Sequence, residues 1–243
     1  MSAIVRISSD FSFSFKEGAI LFGTNGRELP LEEGIIYGIF GSNGVGKTTL
    51  LNVISTILRP SSGSIRYQFG DKSFVFDSYS TPLSVDLIGN NIRRCFQVPM
   101  LIDEWSVEEN IRMVRRKDEK ERFGSVFVNE SIRADDKIDE LLDHVCLSAH
   151  EIAGNLSYGQ RRLLANLQMI YSEAPLLILD EPFANLHESV IAVLQDEYKR
   201  IVKNQLVTII VVEHKRKVIE AFADRIISIK DTRLFFEDTD AES

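Results

Sequence analysis

The chain has 243 residues, 44% of them hydrophobic, with 28 basic against 36 acidic side chains and a formal net charge of −8. That length and apolar content suffice for one large domain with its own core, and the negative balance argues against a general affinity for nucleic acid. Two cysteines, Cys95 and Cys146, are too few for a disulfide framework and lie in no zinc-ligand cluster, so both are expected as reduced thiols in a cytoplasmic protein.

The first fifteen residues lack a basic stretch followed by an apolar one, so no secretion signal is expected. The longest apolar runs, such as Leu206 to Val212, fall far short of the ~20 residues needed to cross a bilayer as a helix, and any membrane role is expected to pass through a partner. Residues 1–40 alternate or run apolar in short pieces broken by Gly18, Gly23, Gly26, Pro30 and Gly34, a pattern of strands and turns. Within it Phe11, Phe13 and Phe15 alternate, which predicts that all three share one strand face. A helix is predicted over 47–58, stopped by Arg59-Pro60-Ser61-Ser62-Gly63, and short strands over 65–69 and 73–76.

From about 106 to 170, the stretches WSVEENIRMVRRKDEKERF and DDKIDELLDHVCL carry helical spacing and dense charge, which predicts a helical lobe. Arg112, Arg115, Arg116 and Lys117 are interleaved with Glu108, Glu109, Asp118 and Glu119, the pattern of a solvated helix face rather than a phosphate-binding patch. Apolar strands over 176–179 and 207–212 flank a helical pattern at 188–203, a βαβ rhythm that implies a parallel sheet. The acidic end, 237–243, reads as a disordered tail.

The segment Gly41-Ser42-Asn43-Gly44-Val45-Gly46-Lys47-Thr48-Thr49 is a complete GxxxxGK[ST] loop between a predicted strand and a predicted helix. Glycines let consecutive backbone N–H groups turn inward onto phosphate oxygens, and the following helix adds the positive end of its dipole. In this reading Lys47 reaches the β and γ phosphates and Thr48 offers its hydroxyl to Mg2+. A second anchor for the ion and a base for the attacking water are still needed. The apolar strand Leu176 to Leu179 ends in Asp180 and Glu181, which places Asp180 at the carboxyl edge of the sheet and Glu181 just beyond it. Asp180 is expected to hold Mg2+ through water, and Glu181 to polarise the water that attacks the γ phosphate.

Between these motifs stands Leu156-Ser157-Tyr158-Gly159-Gln160-Arg161-Arg162. Here the sequence resembles the nucleotide-binding subunits of ATP-binding cassette (ABC) transporters, whose signature is LSGGQ with a variable middle residue. The resemblance extends to Gln97 in Cys95-Phe96-Gln97-Val98-Pro99, which looks like the family's Q-loop, and to His214 after Val211-Val212-Glu213, which looks like its switch histidine. Within the superfamily, Ile92 to Gln97, Ala153 to Leu163 and Val211 to His214 are most similar to the ATPases of branched-chain amino-acid type importers.

The resemblance implies an α/β fold: a P-loop NTPase core with a mostly parallel sheet, an N-terminal antiparallel β subdomain and an inserted α-helical subdomain. All of 1–243 would form a single ATPase domain, with 1–96 and 170–243 as core and β subdomain and about 97–169 as the helical part. It implies a subunit that binds and hydrolyses ATP with Mg2+ to power a transporter, an importer of amino-acid-type solutes. The same residues also suit the ATPase of an exporter or lipid transporter, and a nucleotide-dependent dimerisation switch outside transport.

In the importer reading, Gln97 joins Thr48 and Asp180 at the metal and His214 hydrogen-bonds the γ phosphate. Ser157, Tyr158, Gly159 and Gln160 close over ATP held by a second ATPase subunit, identical or not. The dimer docks on integral membrane subunits at the inner face of the cell membrane, with a substrate-binding protein as a further partner and no nucleic acid. Phe15 is the residue chosen to stack on adenine. Two features depart from the common pattern: Tyr158 in the signature, expected to face outward, and His187 in Phe183-Ala184-Asn185-Leu186-His187, where many relatives have aspartate.

Overall fold

The computed structural model describes residues 2–15, 18–80, 90–114, 142, 145 and 147–237. Most of the stretch DDKIDELLDHVCL expected as helix, the basic residues Arg115 to Lys117, Cys146 and the residues past Glu237 lie outside them. Along the chain run β1 (Ala3–Ile7), β2 (Ser12–Ser14), β3 (Ile20–Gly23), β4 (Leu29–Glu32), β5 (Ile36–Phe40), α1 (Lys47–Ile54), β6 (Ser64–Phe69), β7 (Lys72–Asp77) and β8 (Ile92–Cys95). There follow α2 (Val107–Val114), a 3-10 turn (Ala153–Asn155), α3 (Tyr158–Tyr171), β9 (Leu176–Asp180), α4 (Glu188–Gln205), β10 (Thr208–Val212), α5 (Arg216–Phe222), β11 (Arg225–Lys230) and β12 (Arg233–Phe236). These fall into two compact units, one of Met1–Gln97, Ala174–Pro182 and Gln195–Ser243, the other of Val98–Glu173 and Phe183–Leu194.

In the first unit the larger sheet has the order β2-β3-β12-β11-β5-β10-β9-β8. Its centre is parallel: β11, β5, β10, β9 and β8 all run the same way. Every residue of LLILD in β9 and TIIVV in β10 is buried, as expected of strands covered on both faces. Register positions the functional residues. Val212 pairs with both Ile39 and Asp180, and Cys95 pairs with Leu179, so the residues following β5, β8, β9 and β10 leave the sheet at one carboxyl edge. A second sheet, β4-β1-β6-β7, is antiparallel throughout.

Two details differ from the sequence reading. Helix α1 stops at Ile54 instead of residue 58, because the Ser55 hydroxyl donates back to Leu51 O at 2.7 Å and Thr56 turns left-handed at φ 61°. The three phenylalanines differ in burial: Phe11 and Phe13 are buried and stack on Phe22, whereas Phe15, just past the end of β2, packs edge-on against Phe13 and is 60% exposed. The β2–β3 register shifts between Phe13 and Ser14, with Leu21 of β3 as the extra residue. Cys95 is a buried thiol whose Sγ lies 3.8 Å from Phe96 O. Among the described residues no helix is long and apolar enough to cross a membrane.

In the second unit, the side chain of Gln168 on α3 donates to Asn110 O on α2 at 2.9 Å, and Asn110 in turn clamps both the N–H and the carbonyl of Ile102. Both side chains are buried, so their amide groups need these partners. Helix α3 opens with a reciprocal capping box: Ser157 Oγ accepts from Gln160 N, and Gln160 Oε1 accepts from Ser157 N.

Candidate functional site

The loop from β5 to α1 depends on its glycines. Gly44 and Gly46 sit at φ +77° and +105°, where a side chain is strained, and a Cβ on Gly46 would lie 2.7 Å from Leu21 Cδ2. Lys47 is largely buried, and its Nζ donates to Gly41 O at 2.8 Å and Ser42 O at 3.0 Å. Burial pushes its pKa down, while the carboxylates of Glu181 and Asp180 pull the other way. The loop borders a cavity of about 240 Å3, walled by Asn43, Gly44 and residues 46–49 on one side and by Glu181, Val212 and His214 on the other.

Asp180 ends β9 and is 2% exposed. Its Oδ1 accepts from Thr48 Oγ1 at 3.4 Å, so the loop's hydroxyl and the strand's carboxylate meet as the motifs require. Burial pushes the Asp180 pKa up, opposed by the Arg94 guanidinium beside it. Glu181 departs from the strand at φ 52°, a left-handed conformation that costs roughly 1–2 kcal/mol for a residue with a Cβ. Its backbone N–H donates to Val212 O at 2.9 Å, and both of its carboxylate oxygens are engaged. Oε1 lies 2.6 Å from His214 Nε2, and Oε2 accepts from Gln97 Nε2 at 3.2 Å. The expected base, histidine and Q-loop glutamine therefore converge on one carboxylate.

The oxygens of Thr48 and Asp180 are donors of the kind Mg2+ takes. The residues thus fit Mg2+ bound together with a nucleotide.

Ser157, Tyr158, Gly159 and Gln160 form the first turn of α3 in the second unit; Ser157 and Tyr158 are exposed. The Tyr158 hydroxyl accepts from Arg162 NH2 at 3.1 Å, and the Arg162 guanidinium lies 5.7 Å from the centre of its ring. Tyr158 is 47% exposed, in keeping with the outward orientation expected. His187 precedes α4, its Nδ1 accepting from Ser189 N at 3.4 Å and lying 2.9 Å from Ser189 Oγ. Phe15 offers an accessible ring packed edge-on to Phe13, with centroids 5.4 Å apart.

The sequence reading missed Arg94. Buried at the end of β8, it donates to Asp180 Oδ2 at 3.2 Å, and to Asn52 Oδ1 at 2.5 Å and Ser55 Oγ at 2.9 Å. No motif flags it, since the neighbouring Arg93 has the same chemistry. Strand register alone turns one of the two toward the carboxylate.

The family model for the ABC transporter matches residues 24–184. A nucleoside import ATP-binding protein of Lactococcus lactis subsp. cremoris is 31% identical over 205 residues, which are 83% of this chain but 38% of that protein, so the chain spans well under half of that relative. A high-affinity branched-chain amino acid transport ATP-binding protein of Pseudomonas aeruginosa is 26% identical over 217 residues, 86% of this chain and 82% of that one. Among solved structures, a dimeric ATP-binding cassette in a post-hydrolysis state with ADP and phosphate superimposes with a TM-score of 0.75 at 21% identity, covering 98% of this chain and 100% of that one.

Proposed function

The chain belongs to the ABC transporter family, and from that membership we propose that it is the ATP-hydrolysing subunit of a transporter. The observation that carries this reading is the convergence of Lys47, Thr48, Asp180, Glu181, Gln97 and His214 on the carboxyl edge of one sheet, with a cavity between loop and carboxylate. The loop's N–H groups and Lys47 would bind the triphosphate, Lys47 exchanging its carbonyl partners for β- and γ-phosphate oxygens. Thr48 and Asp180, joined by Gln97, would hold Mg2+, which would supply neutralisation of phosphate charge. Glu181 takes a proton from water as it attacks phosphorus, and His214 donates to the γ phosphate. The products are ADP and inorganic phosphate.

Ser157 to Gln160 would contact ATP held by a second subunit, since the N–H groups of a helix's first turn lack intrahelical acceptors and suit an anion. Phe15 would stack on adenine. We assign the dimer to the inner face of the membrane, docked on membrane-spanning subunits. Import of amino-acid-type solutes is supported by the wording of Ile92 to Gln97 and by the branched-chain relative. Phosphate release from purified protein, alone and with co-purified membrane subunits, tests the reading. Release no greater than that of a Glu181→Gln variant would leave nucleotide-driven dimerisation as the function, and a co-purifying binding protein distinguishes import from export.

A further inference from the structure

We infer that Arg94 is a positioning residue that sets the orientation of Asp180 relative to Thr48 and thereby the affinity for Mg2+, an inference that rests on the Mg-nucleotide reading above. The Arg94 and Asp180 side chains are only 6% and 3% exposed. Burying such a pair gains little stability, because desolvation offsets the attraction and apolar residues can often replace it. What the pair specifies is geometry. A carboxylate turns about a soft terminal torsion, and here its two oxygens have separate partners: Oδ2 takes Arg94 NH2, and Oδ1 is left to the Thr48 hydroxyl.

The other arm of the same planar guanidinium, NH1, is anchored on α1 through Asn52 and Ser55, the helix that carries Thr48. Its plane lies over the Phe96 ring, 4.7 Å from the centroid, immediately before Gln97. One rigid fork therefore refers the carboxylate on β9 to the helix that offers the second oxygen. Lysine, a single point donor, cannot span both.

Charge and geometry predict opposite outcomes. A cation that merely sits near the metal repels it, so its removal would lower the Mg2+ requirement; removal of a positioning residue raises it. The experiment is a Mg2+ titration of fluorescent ATP-analogue binding to wild type, Arg94→Met and Arg94→Lys, with binding in EDTA and thermal melting alongside. Loss of a group that orients a metal ligand typically costs about 10- to 100-fold in metal affinity. Arg94→Met is expected to need that much more Mg2+ for half-maximal enhancement of binding, with EDTA-state affinity within about twofold of wild type. Arg94→Lys is expected to recover only part of the loss. An unchanged or lowered Mg2+ requirement in either folded variant overturns the inference. Should Arg94→Met fail to melt cooperatively, Arg94→Lys carries the test with the same sign. If Mg2+ does not enhance nucleotide binding to wild type, it is the Mg-nucleotide reading that falls.

Discussion

Glu181→Gln separates the hydrolytic step from everything that precedes it. The carboxylate lies between two side chains, His214 Nε2 at 2.6 Å from Oε1 and Gln97 Nε2 at 3.2 Å from Oε2. A glutamine of the same shape can keep both contacts: its carbonyl accepts from Gln97, and its amide donates to His214 in the tautomer that leaves Nε2 as acceptor. No buried polar group loses its partner, so folding stability is expected to stay within ~0.5 kcal/mol of wild type. The backbone strain at φ 52° is likewise unchanged, because both residues carry a Cβ. What disappears is the proton acceptor for the attacking water. General-base loss costs about 10² to 10⁴ in rate, or roughly 3 to 5 kcal/mol of transition-state stabilisation. Phosphate release by stopped-flow reads the rate, and size-exclusion chromatography with Mg-ATP reads the state. The variant is expected to bind ATP with wild-type affinity and accumulate as dimer, whereas wild type returns to monomer after turnover. A variant that hydrolyses within threefold of wild type would refute Glu181 as the base.

Lys47→Ala removes one charge-assisted donor to the phosphates, net of the contacts that its Nζ already makes to Gly41 O and Ser42 O. At about 1.5 to 3 kcal/mol for a hydrogen bond to a charged group, the ATP dissociation constant is expected to rise about 10- to 100-fold, and an unchanged constant by titration calorimetry would mean that the loop does not cradle the nucleotide as described. For Gly159→Asp, a Cβ at position 159 would meet only Asn185 O, at 3.5 Å, an ordinary contact. The variant is therefore expected to fold and bind ATP as a monomer while hydrolysis falls more than about 100-fold, because a carboxylate would face the γ phosphate of the partner's ATP; equal loss of binding and hydrolysis would contradict a contact made across a dimer. Tyr67→Phe tests the joint between the antiparallel sheet and α1: the fully buried hydroxyl donates to Ile54 O at 2.6 Å. Leaving that carbonyl unpaired is expected to cost about 1 to 3 kcal/mol, read as a lowered urea midpoint with unchanged slope.

The parts of the site that the sequence announces are those whose chemistry fixes both residue type and spacing. Gly44 and Gly46 must be glycine because of φ and Leu21; Lys47 and Thr48 must follow at once because the helix N-terminus begins there. Asp180 and Glu181 are legible because four apolar residues in a row, Leu176 to Leu179, leave the carboxylates only at the strand's end. The illegible parts depend on register. The Phe11–Phe13–Phe15 alternation is real in the sequence, but β2 ends at Ser14 and Phe15 lies exposed beyond it, and periodicity carries no signal for where a strand stops. The β2–β3 hairpin reads like the rest of the N-terminal β region yet joins the large sheet, through Gly23 beside Arg233, a pairing more than two hundred residues apart that no local pattern encodes.

Arg94 shows the same limit inside the site. Arg93 and Arg94 are consecutive, so on a strand they point to opposite faces, and which of them meets Asp180 is decided by how β8 aligns with β9. The pairing of Arg94 with Ile178 and Cys95 with Leu179 turns the second arginine toward α1, where Asn52 and Ser55 receive it. A one-residue slip would bring Arg93 there instead and carry Ile92 and Cys95, which lie on opposite faces of β8, each to the other side of the sheet. The register of β8 against β9, rather than any motif, thus determines which of the two cations sits against Asp180.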